Sequence, residues 1–192
     1  MEDRLLHILI VSMSYFILSL NQTGECRVIH NVNFPESITI NDRNCELNGV
    51  AVREILGFDI YIGALYLEKI TRSGKEAISS EQIKHVKMHF LYKEINKDLI
   101  TASCKKGFKK NSCVKLGNVM DKIEHFFNYF TKPMRKGDSL DFTYIPGKGT
   151  EVVLQGKVKG TIEGHDFMEV ITSNWLGSFP PTQRFKEDLL GQ

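Results

Sequence analysis

The chain has 192 residues, 42% of them hydrophobic and 25% charged, which is the balance of an ordinary globular protein. That length is enough to bury a core without metal or disulfide staples, and one domain is expected. A formal net charge of +2 excludes the strong basic footprint of a dedicated nucleic-acid binder.

Residues 1–24 stand apart in kind. "MEDRLLHILIVSMSYFILSLNQTGEC" opens with charges, runs apolar from Leu5 to Leu20 with breaks at His7, Ser12, Ser14 and Ser19, and turns polar at Asn21. This layout predicts a secretory signal peptide or N-terminal anchor, although Glu2 and Asp3 weaken its positive start and no clean small-x-small cleavage site follows. The run is shorter than the roughly 20 residues a spanning helix needs. The expected location is exported and periplasmic, with residues 25–192 as the folded domain. In an oxidising compartment Cys26, Cys45, Cys104 and Cys113 admit three pairings, among which the sequence does not choose. There is no C-x-x-C, so neither a zinc knuckle nor a thioredoxin-type redox motif is indicated, and no cofactor is implied.

"ITINDRNCELNGVAVREI" predicts strands broken by turns at Asn41-Asp42 and Asn48-Gly49. In "FDIYIGALYLEK", alternation puts Phe58, Ile60, Ile62, Ala64 and Tyr66 on one face and Asp59, Tyr61, Gly63, Leu65 and Leu67 on the other. Both faces are apolar, as for a strand covered on both sides. "IKHVKMHFLY" alternates as well, with His85, Lys87 and His89 opposite Val86, Met88 and Phe90. Then the period changes. A helix is expected from Asn96, a good N-cap, and a second over "VKLGNVMDKIEHFFNYF", where Leu116, Val119, Met120, Ile123, Phe126, Phe127 and Phe130 form a stripe. "GDSLDFTYIPGKGTEVVLQGKVKGTI" returns to strands joined by turn residues. "GHDFMEVITSNWLG" is helical, with Phe167, Val170, Ile171 and Trp175 on one face and Gly177 at the stop, and a short helix near Thr182 to Leu190 closes the chain. Strands, helices, strands and helices in that order predict an α+β fold with helices layered on a largely antiparallel sheet.

Most of the apparent chemistry has a plainer explanation. His85 and His89 fall on a strand and lack a third metal ligand. "GKGT" at 147–150 leads into a strand, so it is a hairpin turn and not a phosphate loop. Cys104 has no general base nearby in sequence. The lysines of "CKKGFKKN" suit a solvated helix end or a peripheral contact with anionic lipid headgroups. Arg53, beside the apolar run "VREILGFDIYIGALYLEK", is the exception. It either snorkels to water or meets an anion inside, and a guanidinium with the Tyr61 hydroxyl is a carboxylate-binding pair.

"LNGVAVREILGFDIYIGALYLEK", "YIPGKGTEVVLQGKVKGTI", "FMEVITSNWLG" and the terminal "LLG" resemble the chalcone isomerase-like family, closest to its bacterial exported branch, over residues 38–191. The resemblance implies an open-faced β-sandwich, a large antiparallel sheet covered by a layer of helices with a ligand cleft between. It further implies one of two functions. Plant members close a chalcone to a flavanone as intramolecular lyases, whereas non-catalytic members bind fatty acids through an arginine and a tyrosine. Arg53 matches the family arginine, and Tyr61 falls at the isomerase's catalytic threonine, where a tyrosine resembles the fatty-acid binders. Asn96 and Ser103 fall at the isomerase's tyrosine and asparagine positions. The resemblance therefore implies a small apolar carboxylate, such as a fatty acid, held by Arg53 and Tyr61, with Leu99, Phe108, Ile123 and Phe127 covering its tail. The alternatives are isomerase chemistry, and a structural envelope protein in which Arg53 pairs internally with Glu54, Asp59 or Glu68.

Overall fold

The structure, a computed structural model, describes residues 25–111 and 119–192. The predicted leader, Cys113 and Leu116 lie outside the described residues. Strands β3 (Ser37–Ile40), β4 (Arg43–Ile55), β5 (Phe58–Leu67), β6 (Lys84–Phe90), β9 (Ser139–Ile145), β10 (Gly149–Leu154) and β11 (Lys157–Ile162) form one antiparallel sheet in the order β11-β10-β9-β6-β5-β4-β3. The hairpin β1 (Cys26–Ile29) and β2 (Val32–Pro35) and the short pair β7 (Glu94–Ile95) and β8 (Met134–Arg135) complete the strands. The helices are α1 (Gly74–Ser79), α2 (Lys97–Asn111), α3 (Met120–Asn128), α4 (His165–Leu176) and α5 (Gln183–Leu189).

The two apolar faces of β5 predict two cores, and two are present. On the helix side, Leu65, Leu67, Val86, Phe142 and Val152 pack against Phe126, Phe167, Val170 and Trp175. On the outer side, Phe34 of the β1–β2 hairpin packs with Cys45, Val50, Ile62 and Tyr66. This is the α+β, open-faced sandwich that the sequence implies. The predicted helix signals are in place as well. Asn96 Oδ1 accepts from the Leu99 amide at 2.8 Å, Thr182 accepts from Phe185 at 3.1 Å, and Gly177 caps α4. In α3 the stripe is narrower than predicted, because Met120 is exposed.

Two expectations are corrected. Asn48-Gly49 is not a turn but a bulge inside β4, where the register passes from Leu47↔Tyr66 to Gly49↔Leu65. The reason is tertiary. Asn48 donates to the Leu189 carbonyl at 2.8 Å and accepts from the Thr71 amide at 2.7 Å, so its side chain ties α5 and the β5–α1 loop to the sheet. The strict alternation of β5 also fails at Ile60, an extra residue between the pairs Glu54↔Asp59 and Arg53↔Tyr61. Phe58 pairs with Ile55 and so leaves the face of Ile62 to which alternation assigned it. As for the cysteines, Cys26, Cys45 and Cys104 are free thiols. The neighbouring pair Cys26–Cys45 does not form, since Cys45 lies inside the outer core while Cys26 is exposed.

Candidate functional site

In β4, Arg53 shares the helix-side face with the core residue Ala51, two positions back. A two-residue hairpin without interruption would set Arg53 opposite Ile60. The bulge at Ile60 slips the register by one and sets it opposite Tyr61. The Ile60 carbonyl is held by the amides of both Leu91 and Tyr92, at 2.9 and 3.2 Å, which fixes the bulge.

Arg53 is half-buried, and its Nη1 donates to the Pro181 carbonyl at 3.3 Å. Among the described residues no carboxylate pairs with it. The three acids that could have neutralised it are elsewhere. Glu54, the next residue along the strand, falls on the opposite face and is exposed; Asp59 lies 3.3 Å from His30; Glu68 takes Arg43 at 3.1 Å and the Ile83 amide at 2.7 Å. A half-buried guanidinium with most of its five N–H donors unused is a ready carboxylate receptor.

Tyr61 is enclosed by the rings of Phe90, Trp175 and Phe185, at centroid distances of 6.0, 6.4 and 5.9 Å. Gly63 makes room for this enclosure, because a Cβ there would stand 3.0 Å from Phe185 Cζ. The Tyr61 hydroxyl accepts from Trp175 Nε1 at 3.0 Å, and among the described residues its own proton has no acceptor. Burial pushes the phenol well above its ordinary value, against the pull of the Trp175 donor and the Arg53 charge. It therefore stays protonated and oriented, with a proton to donate beside Arg53. Cys104, packed against the same core, is pushed up to about 12 by burial, so its thiol is unreactive.

A profile of the chalcone isomerase-like family matches residues 26–191. The chain belongs to the chalcone isomerase-like family. Among solved structures it is similar to a fatty-acid binding protein of Arabidopsis thaliana, with a TM-score of 0.66 and 18% identity, covering 86% of this chain and 96% of that one. At that identity the likeness establishes the shared fold. No curated protein matches.

Within this chalcone isomerase-like fold the remaining predicted residues separate into two groups. Phe108, Ile123 and Phe127 are together under the helix layer. Phe108 and Phe127 stack at 6.3 Å, Ile123 is in the core, and Lys105 lies 5.4 Å above the Phe127 ring. Asn96, Leu99 and Ser103 are solvent-exposed along α2, and no contact joins them to Arg53 or Tyr61. Sequence reasoning missed Trp175, Phe185, Phe90 and Pro181 as neighbours of the pair. The only signal was the placement of Trp175 on the apolar face of its helix.

Two further polar clusters are structural. Fully buried Lys84 donates to the Ile78 carbonyl at 2.5 Å and faces His165 Nε2 at 3.2 Å, while Tyr144 donates to Glu81 at 2.6 Å. Burial lowers Lys84 to about 8. The ammonium is consumed by a carbonyl of α1 and an imidazole of α4, so it clamps those helices onto β6. On the outer face, His85 Nδ1 meets Thr143 Oγ1 at 2.9 Å. Its Nε2 lies 3.7 Å from Asp141, which also takes Lys87 at 3.1 Å and the Ser139 hydroxyl at 2.7 Å.

Burial holds the His85 imidazole well below its ordinary pKa, with Asp141 pulling it up and Lys87 pushing it further down. The unfolded chain takes that proton near pH ~6.5 while the fold resists it, so this contribution to stability is complete above about 6.5 and is lost as pH falls below it. Urea midpoints should therefore drop between about pH 7 and pH 5, and less steeply in His85→Gln. Equal slopes in the two proteins would contradict the assignment.

Proposed function

We propose that the Arg53–Tyr61 site binds a long-chain fatty acid or similar apolar monocarboxylate without transforming it. The observation that carries this reading is the register pair itself: a guanidinium without an acidic partner among the described residues, directly opposite a neutral phenol whose proton has no acceptor among them, beneath an aromatic and aliphatic layer. Arg53 would take both carboxylate oxygens and Tyr61 would donate to one of them. The tail would lie along the apolar side, where each CH₂ removed from water contributes about 0.8 kcal/mol. The fold likeness to a plant fatty-acid binding protein supports the same reading. Exposure of Asn96 and Ser103 favours binding over cyclisation, because the groups that would polarise and position an enone are not gathered at Arg53.

The test is to purify the protein, extract it with organic solvent and identify co-purified lipids by mass spectrometry, then to titrate the stripped protein with fatty acids of increasing length. Co-purified or titratable fatty acid, with affinity rising with length, is expected. A stripped protein that binds none, or that accelerates closure of a 2′-hydroxychalcone, would overturn the proposal.

A further inference from the structure

Among the described residues four two-residue hairpin turns have both central residues at positive φ: His30-Asn31, Asn41-Asp42, Leu56-Gly57 and Gln155-Gly156. Such turns favour Asn, Asp or Gly, since a bulky side chain at positive φ is strained. Three of them open with a polar residue. The fourth opens with Leu56, at φ 51° and 92% exposed, flanked by exposed Ile55 and by Phe58 at 59%. Tyr92, also exposed, meets Phe58 edge to face at 5.9 Å. Neither turn chemistry nor core packing calls for leucine there. The tip is a convex apolar knuckle held out in water.

This knuckle begins two residues beyond Arg53, and its surroundings are basic. Arg53 bonds Pro181, and two residues earlier Phe179, 62% exposed, is held through its own amide and carbonyl by the Asn111 side chain, at 2.6 and 2.8 Å. The loop 179–181 thus joins the Arg53 strand to the C-terminal end of α2, whose last turn carries exposed Lys109 and Lys110 and whose preceding turn carries exposed Lys105 and Lys106. Among the described residues none of these lysines forms an ion pair, and residues 112–118 contain no acid. An apolar projection linked through this loop to a run of exposed cations without ion pairs among the described residues matches the chemistry of an anionic lipid surface: acyl chains to receive Leu56 and Phe58, and headgroups for the lysines. A protein partner would have to supply both a greasy socket and an acidic face. A bilayer supplies both, and it is also where a lipid ligand would come from.

We propose that the end of the molecule formed by the β4–β5 hairpin tip, the 179–181 loop and the C-terminal end of α2 docks on an anionic bilayer, bringing the Arg53 strand to the membrane. The purpose of docking rests on the lipid-binding reading above; the docking itself does not.

The test is co-sedimentation of the stripped protein with phosphatidylglycerol-containing vesicles and with phosphatidylcholine vesicles, both free of fatty acid. Partitioning to the anionic vesicles is expected. It should fall roughly tenfold or more between about 0.1 M and about 1 M salt and in Lys106→Glu/Lys109→Glu. Leu56→Asn/Phe58→Thr should lose a similar factor. Its thermal midpoint should be no lower than that of the wild type, because Asn suits the turn and Thr the strand. A merely structural role for Leu56 would not produce that combination. Val158→Ser, at an exposed apolar position on β11, should partition as the wild type does. Equal binding to both vesicle types, no binding to either, or unchanged binding by the tip variant would overturn the proposal. If vesicles are bound but fatty acid is not, docking stands and the ligand reading fails; the converse result separates them in the other direction.

Discussion

Arg53→Ala is expected to weaken fatty-acid binding by about 10- to 100-fold, the loss of roughly 1.5–3 kcal/mol of charge-assisted hydrogen bonding, while leaving the affinity for the methyl ester of the same acid nearly unchanged. The carboxylate would lose its fork, and the ester has no charge to lose. The contrast between the two ligands isolates the ion pair from the tail, which the substitution does not touch. Folding should survive, because among the described residues Arg53 makes a single hydrogen bond, to the Pro181 carbonyl, and no ion pair. Arg53→Lys should fall between wild type and alanine, since it keeps the charge and loses the bidentate geometry. Isothermal titration with acid and ester in parallel measures all three. If the alanine variant binds acid and ester with equally reduced affinity, Arg53 supports the local structure and does not receive the carboxylate.

Gly49→Ala should be strongly damaging for a single added methyl, lowering stability by about 3 kcal/mol and the melting temperature by roughly 6–12 °C. A Cβ at Gly49 would stand 2.2 Å from the Asp188 carbonyl oxygen and 2.6 Å from the Leu189 carbonyl carbon. These are backbone atoms and cannot swing aside, so α5 would have to lift from β4. The same lift would strain the Asn48–Leu189 hydrogen bond and withdraw Phe185 from the Tyr61 ring. The variant should therefore lose ligand affinity as well as stability, although Gly49 is remote from the carboxylate receptor. Thermal unfolding and titration of one preparation check both effects. A melting temperature within about 2 °C of the wild type would show that α5 is not clamped as described.

Much of the fold was legible in the residues. The two apolar faces of β5 called for cover on both sides, and the helices and the β1–β2 hairpin provide it. Asn96, Thr182 and Gly177 marked helix ends because capping is a local affair. Asn48-Gly49 misled for the opposite reason. Its dipeptide chemistry is that of a turn, but its partner is a helix terminus some 140 positions away in sequence, at Leu189, and no local pattern records that. Leu99 was similarly misplaced by its apolar character alone, since on a mostly polar helix with only Ile100, Phe108 and Asn111 buried it is left in water.

By itself the sequence determined the α+β order of elements, the double burial of β5 and, through its family motifs, the pairing of Arg53 with Tyr61 as the place to look. Only the tertiary structure decided that the two face each other. In a regular hairpin Arg53 would stand opposite Ile60, and the single extra residue in β5 moves Tyr61 into place. Side chains alternate with a period of two, so one inserted residue exchanges the faces of everything beyond it. That insertion is held by two amides from the strand-end loop at Leu91 and Tyr92. Glu54 and its register partner Asp59 fall on the far face, which leaves Arg53 without an acidic partner among the described residues and open to one from outside.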